Sequence, residues 1–239
     1  MGRPARRAAR LWRDAAGDGD AGPDRARHGD ARSRRGACVS DGDRALESRD
    51  DPLRERLISS EVLRRSRILE FRIDTIESAD GHRSTRDIAG HPGGVCVVAI
   101  DPDDRVLLVR QWRHAAGQAL LEIPAGTLDR EPDGSIEDHA GAAARELEEE
   151  TGSRAGSWRY LGAFYTAPGF TSELMHLYLA TELEAVHAGG LQPDEDERLE
   201  LQPLPFDDAV AMVDRGELPD AKTIAGLLLV ARLRARGAT

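Results

Sequence analysis

A chain of 239 residues is long enough for one domain with a substantial core. Its formal net charge of −10 and pI near 5.2 exclude a general attraction to nucleic acid, so an anionic small ligand would need local positive charge or metal ions. No apolar run approaches the ~18 residues of a membrane span, and the two cysteines, Cys38 and Cys96, match no metal-ligand spacing and cannot build a disulfide framework.

The Arg-rich start is not followed by a signal-peptide hydrophobic stretch, so the chain reads as soluble, unsecreted and cytoplasmic, with no membrane or nucleic-acid partner. Residues 1–50 hold 12 Arg against 9 Asp or Glu and hardly a large apolar residue after Leu11 and Trp12. Such a stretch cannot bury enough surface to offset the entropy of ordering, and we expect a disordered tail. Order is expected from about Glu55. Leu57 to Leu63 and Ile68 to Asp74 alternate as half-buried strands, and Gly81 supplies a turn, giving a small N-terminal β region over 55–90.

The run from Gly94 to Ile100 is apolar almost throughout and reads as a strand buried on both faces. Asp101-Pro102-Asp103-Asp104 then turns the chain into Arg105 to Arg110, which suggests a hairpin. Helical spacing follows from about Ile136 to Thr151, with Ser135 and Asp138 as a capping-box pair and Gly152 as the stop. Strand patterns return at Trp158 to Tyr165 and Met175 to Ala180. Residues 206–215 and 220–235 read as helices, the second carrying an apolar stripe. This order predicts an α/β (α+β) fold, a mixed β-sheet sandwiched between helices. The one lysine, Lys222, among so many arginines suggests a GC-rich bacterial gene rather than chemistry.

The helix holds the densest cluster of candidate ligands. Glu146 and Glu150 are four apart and share a face, and Glu149 flanks them. Packed like charges cost an isolated helix a few tenths of a kcal/mol per pair, roughly, and a bound cation reverses the sign. Oxygen-only ligands suit Mg2+, or Mn2+, bridging carboxylates to a diphosphate. The competing reading of such a helix is a solvated acidic face.

Glu137, seven intervening residues, and then Arg145-Glu146-Leu147-Glu148-Glu149-Glu150-Thr151-Gly152 resemble the Nudix hydrolase signature in order and spacing. Two positions depart from it: ten residues rather than five separate Gly126 from Glu137, and Ser153 stands at the final apolar position. The first implies a longer surface loop over about 129–135. The resemblance makes Glu146, Glu149 and Glu150 metal ligands, Glu149 also serving catalysis. It gives Gly126, Glu137, Arg145 and Gly152 structural parts, with Arg145 and Glu137 forming a charge-assisted pair.

From about Leu57 to Leu233 the chain resembles the ADP-ribose pyrophosphatase branch of that family. Glu122-Ile123-Pro124-Ala125-Gly126 matches a segment in which the carbonyl of Ala125 would ligate metal and Glu122 would lie at the substrate. Gln111-Trp112-Arg113 resembles a motif whose arginine binds phosphate, and Arg113 offers the planar fork for it. Tyr165 to Glu173 resembles the branch's Pro-Gly segment. Gly169 would allow close backbone approach, with Phe170 beside the sugar or in the core. The base would be Glu195 or Glu197, on a loop hinged at Gly189-Gly190. The implied activity is Mg2+-dependent hydrolysis of a nucleoside-diphosphate sugar, most simply ADP-ribose, by a domain over 91–239. The implied assembly is a homodimer joined through residues 55–90. A GDP- or UDP-sugar substrate, or a sensor that binds without cleaving, are the competing readings.

Overall fold

The computed structural model describes residues 51–131, 133–186 and 198–237. The chain divides after Ser48, and everything described lies in the unit Arg49–Thr239. The expected tail over 1–50 and the expected base loop with Glu195 and Glu197 lie outside the described residues.

Three strands, β1 (Arg56–Arg65), β2 (Glu70–Glu77) and β3 (Arg83–Gly90), form an antiparallel meander. Its register is marked by cross-strand ion pairs such as Arg56 with Glu77 at 2.6 Å, and Arg65 with Glu70 at 2.8 Å. Exposed pairs of this kind add at most about 1 kcal/mol each, so they select register more than they supply stability. β3 lies inside the β region expected over 55–90, but it lacks apolar alternation and was not read as a strand of its own.

The central strand is β4 (Gly94–Ala99), buried along its whole length. Side chains alternate across a strand, so Val95, Val97 and Ala99 enter one core with Leu147 and Ala143, while Cys96 and Val98 enter a second with Leu227 and Val230. The first core is closed by α1 (His139–Thr151) and the second by α2 (Phe206–Asp214) and α3 (Ala221–Arg234). This is the expected sandwich of helices around a mixed sheet.

The expected hairpin between Gly94–Ile100 and Arg105–Arg110 is not formed. β4 is flanked by β7 (Ala125–Thr127) and, in parallel, by β9 (Leu174–Ala185), with β8 (Ser153–Tyr165) beyond. β5 (Arg105–Arg113) instead joins a second sheet between β6 (Gln118–Glu122) and β10 (Leu199–Pro205). Of the pairing there remain the bridge between Ile100 and Val106 and the bond from the Asp101 amide to the Arg105 carbonyl at 2.9 Å. Both edges of β4 are taken by partners, one of them a parallel strand that needs a long crossover through α1. The 101–104 turn, pinned by Asp101 Oδ1 accepting from the amides of Asp103 and Arg105, therefore carries the chain from one sheet to the other.

The start of α1 also differs from the expectation. Asp138 is the N-cap, accepting from the Gly141 amide at 3.0 Å, whereas the Ser135 hydroxyl is drawn 2.6 Å to Asp133, and Ile136 bridges to Arg130. The box expected between Ser135 and Asp138 is not made, and the helix begins three residues late. Gly152 ends it at φ 65°, as expected.

α3 approaches the sheet at Gly226. A Cβ there would lie 2.8 Å from Val98 Cγ2 and 3.1 Å from Ile123 Cδ1, both buried. Gly226→Ala gains about 1 kcal/mol of helix propensity but overpacks the core at a cost of about 1–3 kcal/mol. A net loss is expected in chemical denaturation, although the substitution would stabilise an exposed helix.

Candidate active site

The carboxylates of α1 face β7 because helical spacing puts Glu146 and Glu150 on one stripe and Glu148 on another. Glu148 is buried in a bidentate pair with Arg154, at 2.6 and 2.8 Å, and belongs to the scaffold. Glu150 accepts from the Ala125 amide at 3.1 Å. Glu146 lies so close to β7 that a Cβ at Gly126 would fall 1.9 Å from its carboxyl carbon. Gly126 is thus required by the space its missing side chain leaves for a carboxylate.

Arg145 organises the same face. It holds Glu137 with Nη2 at 3.0 Å and Nε at 3.3 Å, while Nη1 donates to Glu146 at 2.7 Å and Glu149 at 3.0 Å. Glu137 also accepts from the Asp129 amide at 3.1 Å, tying the 129–137 segment to the helix. Burial pushes the Glu137 carboxyl up, but Arg145 and that amide outweigh it and hold it below the usual carboxylate range. The expected pair is present. The longer segment between Gly126 and Glu137 closes on itself through the bond from the Glu131 amide to the Ser135 carbonyl, without displacing the helix.

A second network was not foreseen. Glu122, with its side chain 2% exposed, receives Arg113 through Nε and Nη2, both at 2.8 Å, and Lys222 on the oxygen shared with Nη2. Lys222 also meets Asp220 at 3.0 Å. Asp220 caps α3 through the Thr223 amide, and the Thr223 hydroxyl receives the Ile123 amide at 2.9 Å. Desolvation opposes ionisation of Glu122, but its two cations prevail and keep the carboxyl below its ordinary value. The planar fork of Arg113, expected on phosphate, is engaged with Glu122. The lysine read as a mark of base composition is part of the site.

These two networks line one cleft of about 730 Å³. Arg145, Glu146 and Glu149 reach it with Ala125 and Gly126, as do Arg113, Glu122 and Lys222. Thr166 and Glu173 complete the wall, and Arg67 enters from the β1–β2 turn. Gly169 and Phe170 do not line it. Phe170 is 58% exposed, so it is not in the core, and nothing lies within 4 Å of a Cβ at Gly169. Lys222 and Arg67 carry no local pattern in the sequence, whereas Thr166 and Glu173 lie within the Pro-Gly segment whose expected contacts were Gly169 and Phe170.

Among the described residues no three carboxylate, imidazole or thiolate groups are gathered as a ready cation cage. Arg145 bonds both Glu146 and Glu149, and Glu150 is drawn to the Ala125 amide. The donors nevertheless fit a hard cation: all are oxygens, on one helix face, with the Gly126 cradle reserved for one of them. Basic groups in the same cleft provide the local positive charge that the acidic chain as a whole does not.

Residues 90–227 match the NUDIX domain model, and the chain belongs to the Nudix family of hydrolases. Within it, the chain is similar to an ADP-ribose pyrophosphatase of Bacillus subtilis, 36% identical over 171 residues, covering 72% of this chain and 89% of the relative. An ADP-ribose pyrophosphatase of Mycobacterium tuberculosis is 38% identical over 175 residues, covering 72% and 81% respectively. A GDP-mannose pyrophosphatase of Citrobacter koseri is 34% identical over 161 residues, covering 63% and 79%. The crystal structure of an ADP compounds hydrolase, 24% identical, superposes with a TM-score of 0.66 over 79% of this chain and 100% of its own, which shows the shared fold.

Proposed function

We propose that the protein hydrolyses the diphosphate of a nucleoside-diphosphate sugar, with ADP-ribose giving AMP and ribose 5-phosphate. The observation that carries this reading is the single cleft in which the carboxylate face of α1 meets the Arg113–Glu122–Lys222 network. Carboxylates alone would repel a diphosphate and cations alone would only bind one. Glu146, Glu149 and Glu150, with the Ala125 carbonyl, would hold Mg2+ or Mn2+. Bound there, the metal neutralises charge developing on phosphate and lowers the pKa of water.

The chain's own residues do the rest. Lys222 and Arg113 place positive charge where the diphosphate enters, oriented by the buried Glu122. Arg145 holds Glu146 and Glu149 until a cation competes for them. Glu195 or Glu197 takes the proton of the attacking water. The reading includes a cytoplasmic homodimer joined through 55–90, supported by apolar residues exposed there: Leu57, Val62, Leu63 and Phe71.

Purified protein with ADP-ribose and Mg2+ is expected to release AMP. Chelation should abolish the release, and Glu150→Gln should lower it by about a hundredfold or more. Release that persists with chelator, or in the variant, sinks the assignment. The similarity to a GDP-mannose pyrophosphatase favours GDP-mannose as the second substrate to try. Its turnover without that of ADP-ribose would keep the chemistry and change the substrate.

A further inference from the structure

Ten residues separate Gly126 from Glu137 where the signature has five, and the chain folds the surplus into a short hairpin just ahead of α1. Its base is clamped to Glu137: the Asp129 amide donates to Glu137 Oε2 at 3.1 Å, and the Glu137 amide donates to the Asp129 carbonyl at 2.9 Å. Arg130 then bridges Ile136 in antiparallel fashion, and the Glu131 amide donates to the Ser135 carbonyl at 2.9 Å. The backbone of Arg130 is thus fixed by paired neighbours on both sides.

Arg130 is exposed and lines the cleft together with Asp129. Asp129 Oδ2 lies 4.0 Å from Arg145 Nη2, so this stretch of wall belongs to the side where α1 presents Glu146 and Glu149. Three other cations of the cleft are engaged: Arg113 and Lys222 share Glu122, and Arg145 is spread over Glu137, Glu146 and Glu149. Arg130 makes no ion pair with any described residue. An exposed arginine without a partner is ordinary on a protein surface, but one whose backbone is clamped in a cleft wall keeps its whole charge for what enters.

We propose that Arg130 is a substrate-binding residue that holds the diphosphate from the carboxylate side of the cleft, while Arg113 and Lys222 meet it from the other network. For a cation on Glu146, Glu149 and Glu150 to bridge the diphosphate, the anion has to lie against a face whose carboxylates repel it. A fixed guanidinium beside them offsets that repulsion and offers phosphate oxygens a planar fork. The inference rests on the nucleotide-sugar reading above, and it gives a task to the segment in which this chain departs from the signature.

With ADP-ribose and Mg2+, Arg130→Gln is expected to raise KM about tenfold, the worth of one hydrogen bond to a charged group, with kcat within about twofold. Arg130→Lys keeps the charge and should stay within about threefold of wild type. The wild-type KM should climb with added salt more steeply than that of Arg130→Gln, because the variant has no charge there to screen. The hairpin is held by backbone bonds, so Tm should not move. Arg232→Gln, which removes an exposed charge of α3 outside the cleft, should match wild type. The proposal is overturned if Arg130→Gln leaves KM unchanged, if Arg130→Lys is as impaired as Arg130→Gln, or if Arg232→Gln raises KM as much, which would make the effect one of net charge. Should the wild-type protein turn over no nucleotide sugar, the proposed reaction fails separately, and ADP with Mg2+ becomes the probe in calorimetry. A Kd about tenfold weaker in Arg130→Gln then keeps the diphosphate site, whereas equal Kd values, or no binding of ADP to the wild-type protein, remove it.

Discussion

Gly126→Ala is expected to lower turnover of ADP-ribose by about a hundredfold, the scale on which an ångström of misplacement acts, while Tm moves by only a few degrees. The added methyl would lie 1.9 Å from the Glu146 carboxyl carbon and 2.0 and 2.4 Å from its oxygens. These three nearest atoms are the far end of a flexible side chain, which can give way. The collision is therefore relieved by moving the carboxylate and not the backbone, and the damage falls on the site. Removing Glu146 from its position also loosens its bond to Arg145 and alters the donor set facing the cleft. A rise in the Mg2+ concentration needed for half-maximal rate should accompany the loss. Full activity in a folded Gly126→Ala protein would mean that Glu146 does not act from its place beside β7. A collapse of Tm would mean that the glycine serves the sheet.

Such a prediction could be framed only in part from the sequence. The carboxylate helix was legible because its chemistry is local: Glu146, Glu149 and Glu150 share a phase, Gly152 stops the helix, and the motif from Glu137 to Gly152 fixes the spacing. β4 was legible as a doubly buried strand because both its faces are apolar, and α2 and α3 because their stripes keep helical period. The 101–104 turn looks the same whether its flanking strands pair or part. Their parting is decided by β9, some eighty residues later, which takes the edge of β4 that a hairpin would need. β3 reads Arg-Ser-Thr-Arg-Asp at its start and carries no apolar alternation to match the alternating burial of its side chains. Lys222 and Glu122 are a hundred residues apart, as are the ends of the Thr223–Ile123 bond, so no window of sequence contains the network that places Arg113. The local helix chemistry was legible, whereas the opposite wall is a product of tertiary packing.

The second large effect is expected at that wall. Glu122→Gln should destabilise the protein at pH 7 by about 3 kcal/mol, the low end for breaking a buried ion pair, because Arg113 keeps substantial contact with water and Lys222 a little. The amide is nearly isosteric, so the loss is one of charge: Arg113 and Lys222 would lie side by side without the carboxylate between them. The pH dependence gives the sign. The folded-state value for Glu122 is depressed below the ordinary 4.5, so its contribution is fully present above 4.5 and is lost as pH falls through the lower, folded-state value. Denaturation curves for wild type and Glu122→Gln should therefore be separated by a constant amount from pH 7 down to about 5 and converge only below the ordinary carboxylate range. Turnover should fall as well, since Lys222 would be left with Asp220 alone and could turn toward it, away from the cleft. If the two proteins are equally stable at pH 7, the network is held by packing around Thr223 and Ile123, and Glu122 orients its cations without stabilising the fold. If the gap instead widens on acidification, the carboxyl is already protonated at neutral pH, and Lys222 has only Asp220 as its counter-charge.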